Sequence, residues 1–240
     1  MSRTNISPAA DDTSALHNLI EERVARCLRL IEAGVTIIDP LTTYLGSGVE
    51  IGAGSVIRPN TTIDATLTGE RCMIGPNAVI SDSRVGDGVS ILSSVIEGAT
   101  LDSGVEVGPF CHLRPGTHLE QGVHIGNFVE IKAAHVGAGT KIGHFCYIGD
   151  ARIGNDVNIG AGTVTCNYDG GAKHETVVED GAFIGSDTML VAPVRVGRGA
   201  MTGAGSVVTE DVPDGEKVMG SPARAKNGGG TRRRVRTRLG

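Results

Sequence analysis

Arg114 and Lys132 stand 18 residues apart, His144 follows Lys132 by 12, and Tyr147 comes three later within KIGHFCYIGD. Polar residues then crowd together at Asn167, Tyr168, Asp169, Lys173 and His174, inside GTVTCNYDGGAKHETVVEDG. Two cations brought to one place can hold an anion such as a phosphate. An imidazole that is neutral near pH 7 can take a proton from an attacking amine. The plain alternatives are two solvated charges pointing apart, a satisfied structural histidine, and an ordinary surface loop. The elements that carry these residues decide between them.

Those elements announce themselves by a period of six. Ile51, Ile57 and Ile63 are six apart, then Ile74 and Ile80, then Val85 and Ile91. The longest run is Leu101, Val107, Leu113, Leu119, Ile125 and Ile131; after five-residue steps come Val136, Ile142 and Ile148, then Ile153 and Ile159. Val178, Ile184, Leu190, Val196 and Val208 resume the rhythm, with Thr202 holding one turn and glycine following many of the aliphatics. A repeat of this length predicts a β-helix solenoid, in which each hexapeptide makes one flat face and its aliphatic residue points inward. An antiparallel sandwich would instead alternate with period two and vary in spacing. Three faces make a coil of 18 residues, so residues 49–212 supply about nine coils.

The solenoid gives the polar residues positions. Arg114 and Lys132 fall one above the other, about one strand spacing or 5 Å apart. In water such a pair repels by only ~1 kcal/mol, more where the surface is partly dry. An anion held between them explains the pairing. His144, two residues beyond inward Ile142, faces outward. Thr165 is the last regular inward position before the polar cluster and Val178 restores the register 13 residues later. Insertions in repeat proteins emerge as loops on one face, often the binding face. His112, His118 and His124 are also six apart, which invites a zinc reading. A six-residue step moves to the next face, however, whereas metal ligands converge at about 2 Å. No metal site is expected on them unless several subunits complete one.

Outside the repeat, residues 1–13 read as a loose arm. Residues 14–34 read as an amphipathic helix: Leu16, Leu19, Ile20, Val24, Cys27, Leu28 and Ile31 recur at helical spacing up to Ala33, with Gly34 as the stop. Its apolar stripe must dock somewhere. Residues 35–226 form the solenoid, and the tail 227–240 is low-complexity and expected to be disordered. Hydrophobic residues make up 40% of the chain, aromatics 3%, and glycine 36 of 240 positions, which suits β structure with repeated corners rather than disorder. A net charge of −5 gives no global attraction to nucleic acid or an anionic membrane. The five arginines of TRRRVRTRLG, within 231–240, are the one candidate for a polyanion contact. No signal-peptide core or membrane-length apolar run occurs, and the odd set of five cysteines lacks a CxxC pair. These features predict reduced thiols and a cytoplasmic protein.

The segments HLRPG, GNFVEIK, IGHFCYIGD, NDVNIGAGTVTCNYDGGAKHET and IGSDTMLVAPV follow one another in order. With GVTIIDP at the junction of helix and repeat, residues 15–215 closely resemble the acetyltransferase half of a bifunctional bacterial family. Its members are glucosamine-1-phosphate N-acetyltransferases that are also N-acetylglucosamine-1-phosphate uridylyltransferases. Hexapeptides alone are shared by many acyltransferases, whereas the TCNYDG loop with Arg, Lys and His at matching intervals is specific. The resemblance implies a left-handed parallel β-helix preceded by one α-helix, trimeric, with active sites between subunits. By the same resemblance His144 is the general base. Arg114, Lys132 and Lys173 hold the sugar phosphate. Tyr147, Asn158 and Asn167 bind the sugar, with Asn167 also near the acetyl group. Ala161, Tyr168, Ser186 and Ala204 line the acetyl-CoA groove. VMGSPARAK looks more like the closing segment of other hexapeptide acetyltransferases, which makes Arg224 the candidate Arg contact to CoA. No nucleotide loop of the uridylyltransferase type precedes the helix, so uridylyl transfer is not expected.

The resulting expectation is N-acetylation of glucosamine 1-phosphate by acetyl-CoA, feeding UDP-N-acetylglucosamine and cell-envelope precursors, with no other cofactor and no metal. The near alternative is another amino sugar or sugar nucleotide as acceptor on the same scaffold. The distant one is a non-catalytic solenoid, for which the set Arg114, Lys132, His144, Tyr147, Asn158, Asn167 and Lys173 has no use.

Overall fold

The computed structural model describes residues 13–46 and 48–225. The expected N-terminal arm up to residue 12 and the basic tail 227–240 lie outside the described residues. Helix Thr13–Glu32 is followed by a left-handed parallel β-helix. One face is a ladder of eleven parallel strands, from Thr36–Ile37 to Lys217–Met219, with Arg224–Ala225 added antiparallel at the end. The other two faces join into one sheet, because Glu130–Val136 and Tyr147–Ile153 run unbroken round a corner. Nine rungs of the first ladder fall within 49–212, as the period requires, and the fold adds one at each end.

The interior is the predicted aliphatic ladder. Ile57, Ile74, Ile91, Val107, Ile125 and Ile142 sit directly above one another, each at most 3% exposed. A fully buried Ile or Leu contributes roughly 1.5–3 kcal/mol, so stacking these columns holds the coils together. Two threonines take inward positions with satisfied hydroxyls: Thr165 Oγ1 lies 2.8 Å from the Gly149 amide that donates to it, and Thr202 Oγ1 accepts from Gly185 at 2.9 Å.

The coil is not a uniform 18 residues. Register partners are 16 apart at Ile91–Val107, 18 at Val107–Ile125 and 17 at Ile125–Ile142. The five-residue corner steps shorten some coils, and this decides which outward residues meet.

The helix closes the first coil. Gly34, at φ +91°, ends it: the Gly34 amide donates to Ile31 O and the Val35 amide to Leu30 O, both at 3.0 Å. Cys27 is fully buried, Leu30 leans on the core, Arg26 Nη1 donates to Leu45 O at 2.7 Å, and the Arg23 guanidinium lies 4.6 Å from the Tyr44 ring centre. The predicted apolar stripe is thus only partly used, since Leu19, Ile20, Leu28 and Ile31 remain exposed. Among the described residues no helix is long and apolar enough to cross a membrane.

Candidate functional site

Register pairs Leu113 with Ile131 and Lys132 with Gly149, and the Arg114 amide donates to Ile131 O at 2.8 Å. Arg114, Lys132 and Gly149 therefore form one outward column, with the cations on neighbouring strands. Each cation has an acid beside it. Arg114 Nη1 donates to Glu130 Oε1 at 2.8 Å, while Lys132 Nζ lies 3.9 Å from Asp150 Oδ1. Lys173, carried by the loop, comes against Lys132. This contact, reinforced by partial burial and by Arg114 and opposed by Asp150, lowers the pKa of the Lys132 ammonium below its ordinary value. Three cations against two carboxylates leave a local positive excess, which a bound anion would neutralise.

The loop's shape follows from its polar residues. Asp169 Oδ1 accepts the amides of Gly171 and Ala172, each at 2.7 Å, and Oδ2 meets His174 Nε2 at 2.6 Å. These bonds, the Ala172 amide first, hold the Asp169 carboxyl well below the usual carboxylate range. The His174 amide closes the base by donating to Asn167 O at 2.8 Å. Tyr168 and Lys173 pair across the loop, and the exposed Tyr168 hydroxyl donates to Gly170 O at 2.8 Å. Asn167 is buried, its Nδ2 donating to Asp150 Oδ2 and lying 3.4 Å from Tyr147 Oη. Gly149 makes this possible: a Cβ there would lie 2.4 Å from Tyr147 Oη and 2.8 Å from Asn167 Nδ2. Arg114, Lys132, Tyr147, Asn167 and Lys173 thus belong to one patch.

His144 ends the strand Lys141–His144 and is exposed at the adjoining corner. Its Nδ1 is bonded to Asn127 Oδ1, its register partner on the preceding coil. Onward from it, Gly162 donates to His144 O at 3.0 Å, Asp187 to Ala161 O at 2.7 Å and Gly205 to Ser186 O at 2.8 Å. His144, Ala161, Ser186 and Ala204 therefore share one corner column spanning three strand spacings, about 15 Å. Small side chains leave room for an extended ligand along it. Between this column and Tyr147 runs a stacked ladder of Phe110, Phe128 and Phe145, with ring centres 5.3 and 5.2 Å apart and exposures of 60%, 48% and 62%.

Two expected residues stand apart. Asn158 lies on the eleven-rung face between Lys141 and Phe183, and among the described residues no hydrogen bond links it to Tyr147 or Asn167. Arg224 sits on the final antiparallel strand beside Met219, its Nη1 donating to Ala223 O at 2.9 Å and 4.0 Å from Glu210. The three periodic histidines diverge as expected: His112 meets Glu97 at 2.7 Å, His118 meets Asp102 at 3.2 Å, and His124 meets Glu106 at 2.8 Å. Among the described residues no group of His, Cys, Asp or Glu could hold a metal ion.

Sequence reasoning missed Glu130, Asp150 and Asn127. Glu130 was findable, because in VEIK it shares an outward face with Lys132 by strand alternation. Asn127 hides behind the 17-residue step: Gly126-Asn127-Phe128 and Gly143-His144-Phe145 align only when the coil is one residue short of 18.

The chain is similar in sequence to known proteins. The family described as bacterial transferase hexapeptide (six repeats) matches residues 133–167 and 175–210. The chain is 55% identical over 186 residues to the bifunctional protein GlmU of Carboxydothermus hydrogenoformans, covering 77% of this chain and 42% of that protein. It is 55% identical over 192 residues to the bifunctional protein GlmU of Thermotoga petrophila, covering 80% and 43%. The chain thus spans less than half the length of these curated relatives. Among solved structures, a Francisella novicida UDP-N-acetylglucosamine acyltransferase matches with a TM-score of 0.47 at 17% identity, over 80% of this chain and 70% of that one.

Proposed function

We propose, for a chain that belongs with the GlmU-like hexapeptide-repeat proteins over the stretch they share, that it transfers acetyl from acetyl-CoA to the amine of glucosamine 1-phosphate. The observation that carries this reading is the gathering of Arg114, Lys132 and Lys173 beside buried Asn167, on the face next to the His144 corner. The phosphate occupies the three-cation patch. Tyr147, Asn167 and Asp150 orient the sugar. Acetyl-CoA lies along Ala161, Ser186 and Ala204, with Tyr168 at its edge and Arg224 toward the far end.

His144 takes a proton from the amine as its nitrogen attacks the thioester carbonyl carbon. Backbone N–H groups at the coil edge or loop stabilise the oxyanion. The C–S bond then breaks, and the imidazolium returns the proton to the departing thiolate. The thioester is already activated and the amine is a good nucleophile, so positioning supplies much of the acceleration and acetyl-CoA is the only cosubstrate required. The exposed phenylalanine ladder beside the site, and the placement of Asn158 round the corner from Tyr147, support a trimer in which a neighbouring subunit completes the pocket. A cytoplasmic location fits the reduced thiols and the substrates.

The test is thiol release from acetyl-CoA with glucosamine 1-phosphate, glucosamine 6-phosphate and UDP-linked amino sugars. Preference for the 1-phosphate supports the reading. Preference for a UDP-linked amino sugar would move the acceptor to another class, and no turnover with any acceptor would favour a scaffold. His144→Ala should lower kcat by about 10²–10⁴ with the fold intact; near-normal kcat across pH 6–9 would remove His144 from the mechanism.

A further inference from the structure

The described solenoid holds six histidines, and five of them face a carboxylate: His112, His118, His124, His135 and His174 bond to Glu97, Asp102, Glu106, Glu120 and Asp169. His144 alone among these six faces an amide, the Oδ1 of Asn127. A carboxylate partner places a charge beside the ring, whereas an amide orients the ring without one. An amide oxygen can only accept, so the ring nitrogen facing it must carry the proton.

We infer that Asn127 is the positioning residue that fixes His144 as the Nδ1–H tautomer, leaving the Nε2 lone pair free to act on the acceptor. The kinetic part of this inference rests on the acetyl-transfer reading; the tautomer does not. The contact is built into the backbone. Asn127 and His144 are register partners, and the Phe145 amide donates to Asn127 O at 3.2 Å. The coils are in such close contact here that a Cβ on Gly126 would lie 1.8 Å from Gly143 O, so only glycine lets them meet. Neither other neighbour in the column can replace Asn127, since Pro109 and Ala161 carry no polar side chain. With Oδ1 toward the ring, as the structure has it, the other tautomer would set two acceptors against each other, so it would require the amide to turn and present Nδ2 instead.

The test is ¹⁵N NMR of histidine-labelled protein, with His144→Gln used to assign the resonances. Wild type should show His144 protonated at Nδ1 and bare at Nε2. Asn127→Ala should show a mixture or the opposite tautomer, while Asn127→Asp, which keeps an accepting oxygen, should retain the wild-type one. In acetyl transfer Asn127→Ala should lose at least about tenfold in kcat with KM values for both substrates little changed; in a serine protease triad the wrong tautomer costs about 10⁴. An Nε2–H tautomer in wild type, or an unchanged one in Asn127→Ala, would overturn the inference. If Asn127→Ala does not fold, Asn127→Leu, of the same shape but without a polar atom, decides by the same spectrum. Absence of acetylation in wild type would count against the activity and leave the tautomer result standing.

Discussion

The rungs before Val107 and those from Pro109 to Val178 share one interior and differ outside it. The same outward column reads Asp64, Ser81 and Glu97 in the first region and Arg114, Lys132 and Gly149 in the second. The corner in the first region is polar, with Asn60 Nδ2 donating to Asn77 Oδ1 at 3.2 Å; the second region carries the three phenylalanines. The fold tolerates either exterior because coil stacking depends on the inward aliphatics and the backbone ladder. The proposed chemistry sits on the outside of one stretch, and the interior that stacks the coils is shared by both.

If the two interiors are equivalent, Ile63→Ala and Ile131→Ala should each destabilise by about 2–5 kcal/mol, since both side chains are fully buried. Chemical denaturation measures this, and costs differing by more than about 2 kcal/mol would show that the site region packs differently. The exteriors should separate more sharply. Lys132→Ala should raise KM for the phosphorylated acceptor about 10–100-fold, the worth of a lost charge-assisted contact of about 1.5–3 kcal/mol. Arg84→Ala, on an exposed position of the first region, should leave kinetics unchanged and stability within about 0.5 kcal/mol. An unchanged KM in Lys132→Ala would dissolve the distinction between the regions.

A finer difference lies in the loop, which the first region lacks. Because folding lowers the proton affinity of Asp169, the order it gives the loop is fully present above the unfolded carboxyl value of about 3.9. That order is lost only as pH falls through the lower folded value. A carboxyl-carbon NMR titration should place the Asp169 midpoint below the ordinary range; an ordinary midpoint would mean that the turn is not held by this side chain. Asp169→Asn should raise acceptor KM a few-fold through a less ordered Lys173, with the melting temperature nearly unchanged.

Much of this was legible in the sequence. One aliphatic per face is a strong signal, because a single misplaced polar group would be buried on every side. The Arg114–Lys132 column was legible for the same reason, as the 18-residue step between them happens to hold. Where the step shortens to 17, at Asn127–His144 and Lys132–Gly149, a fixed period points to the wrong partner. Asp150 was overlooked, and Glu130 passed over despite its place in VEIK, because acids beside a proposed anion site look unhelpful until the mutual repulsion of three cations is considered. The docking of the helix was not legible, since half of its apolar stripe stays in solvent.

The two ends of the β-helix carry a consequence of their own. Each rung is a template for the next, so a bare terminal rung would offer its N–H and C=O groups to any other chain, as a growing fibril does. Here the helix Thr13–Glu32 lies across the first rung, and the strand Arg224–Ala225 reverses direction on the last. A reversed strand breaks the parallel register that further rungs would need. The molecule is in effect a short filament with its elongation stopped at both tips.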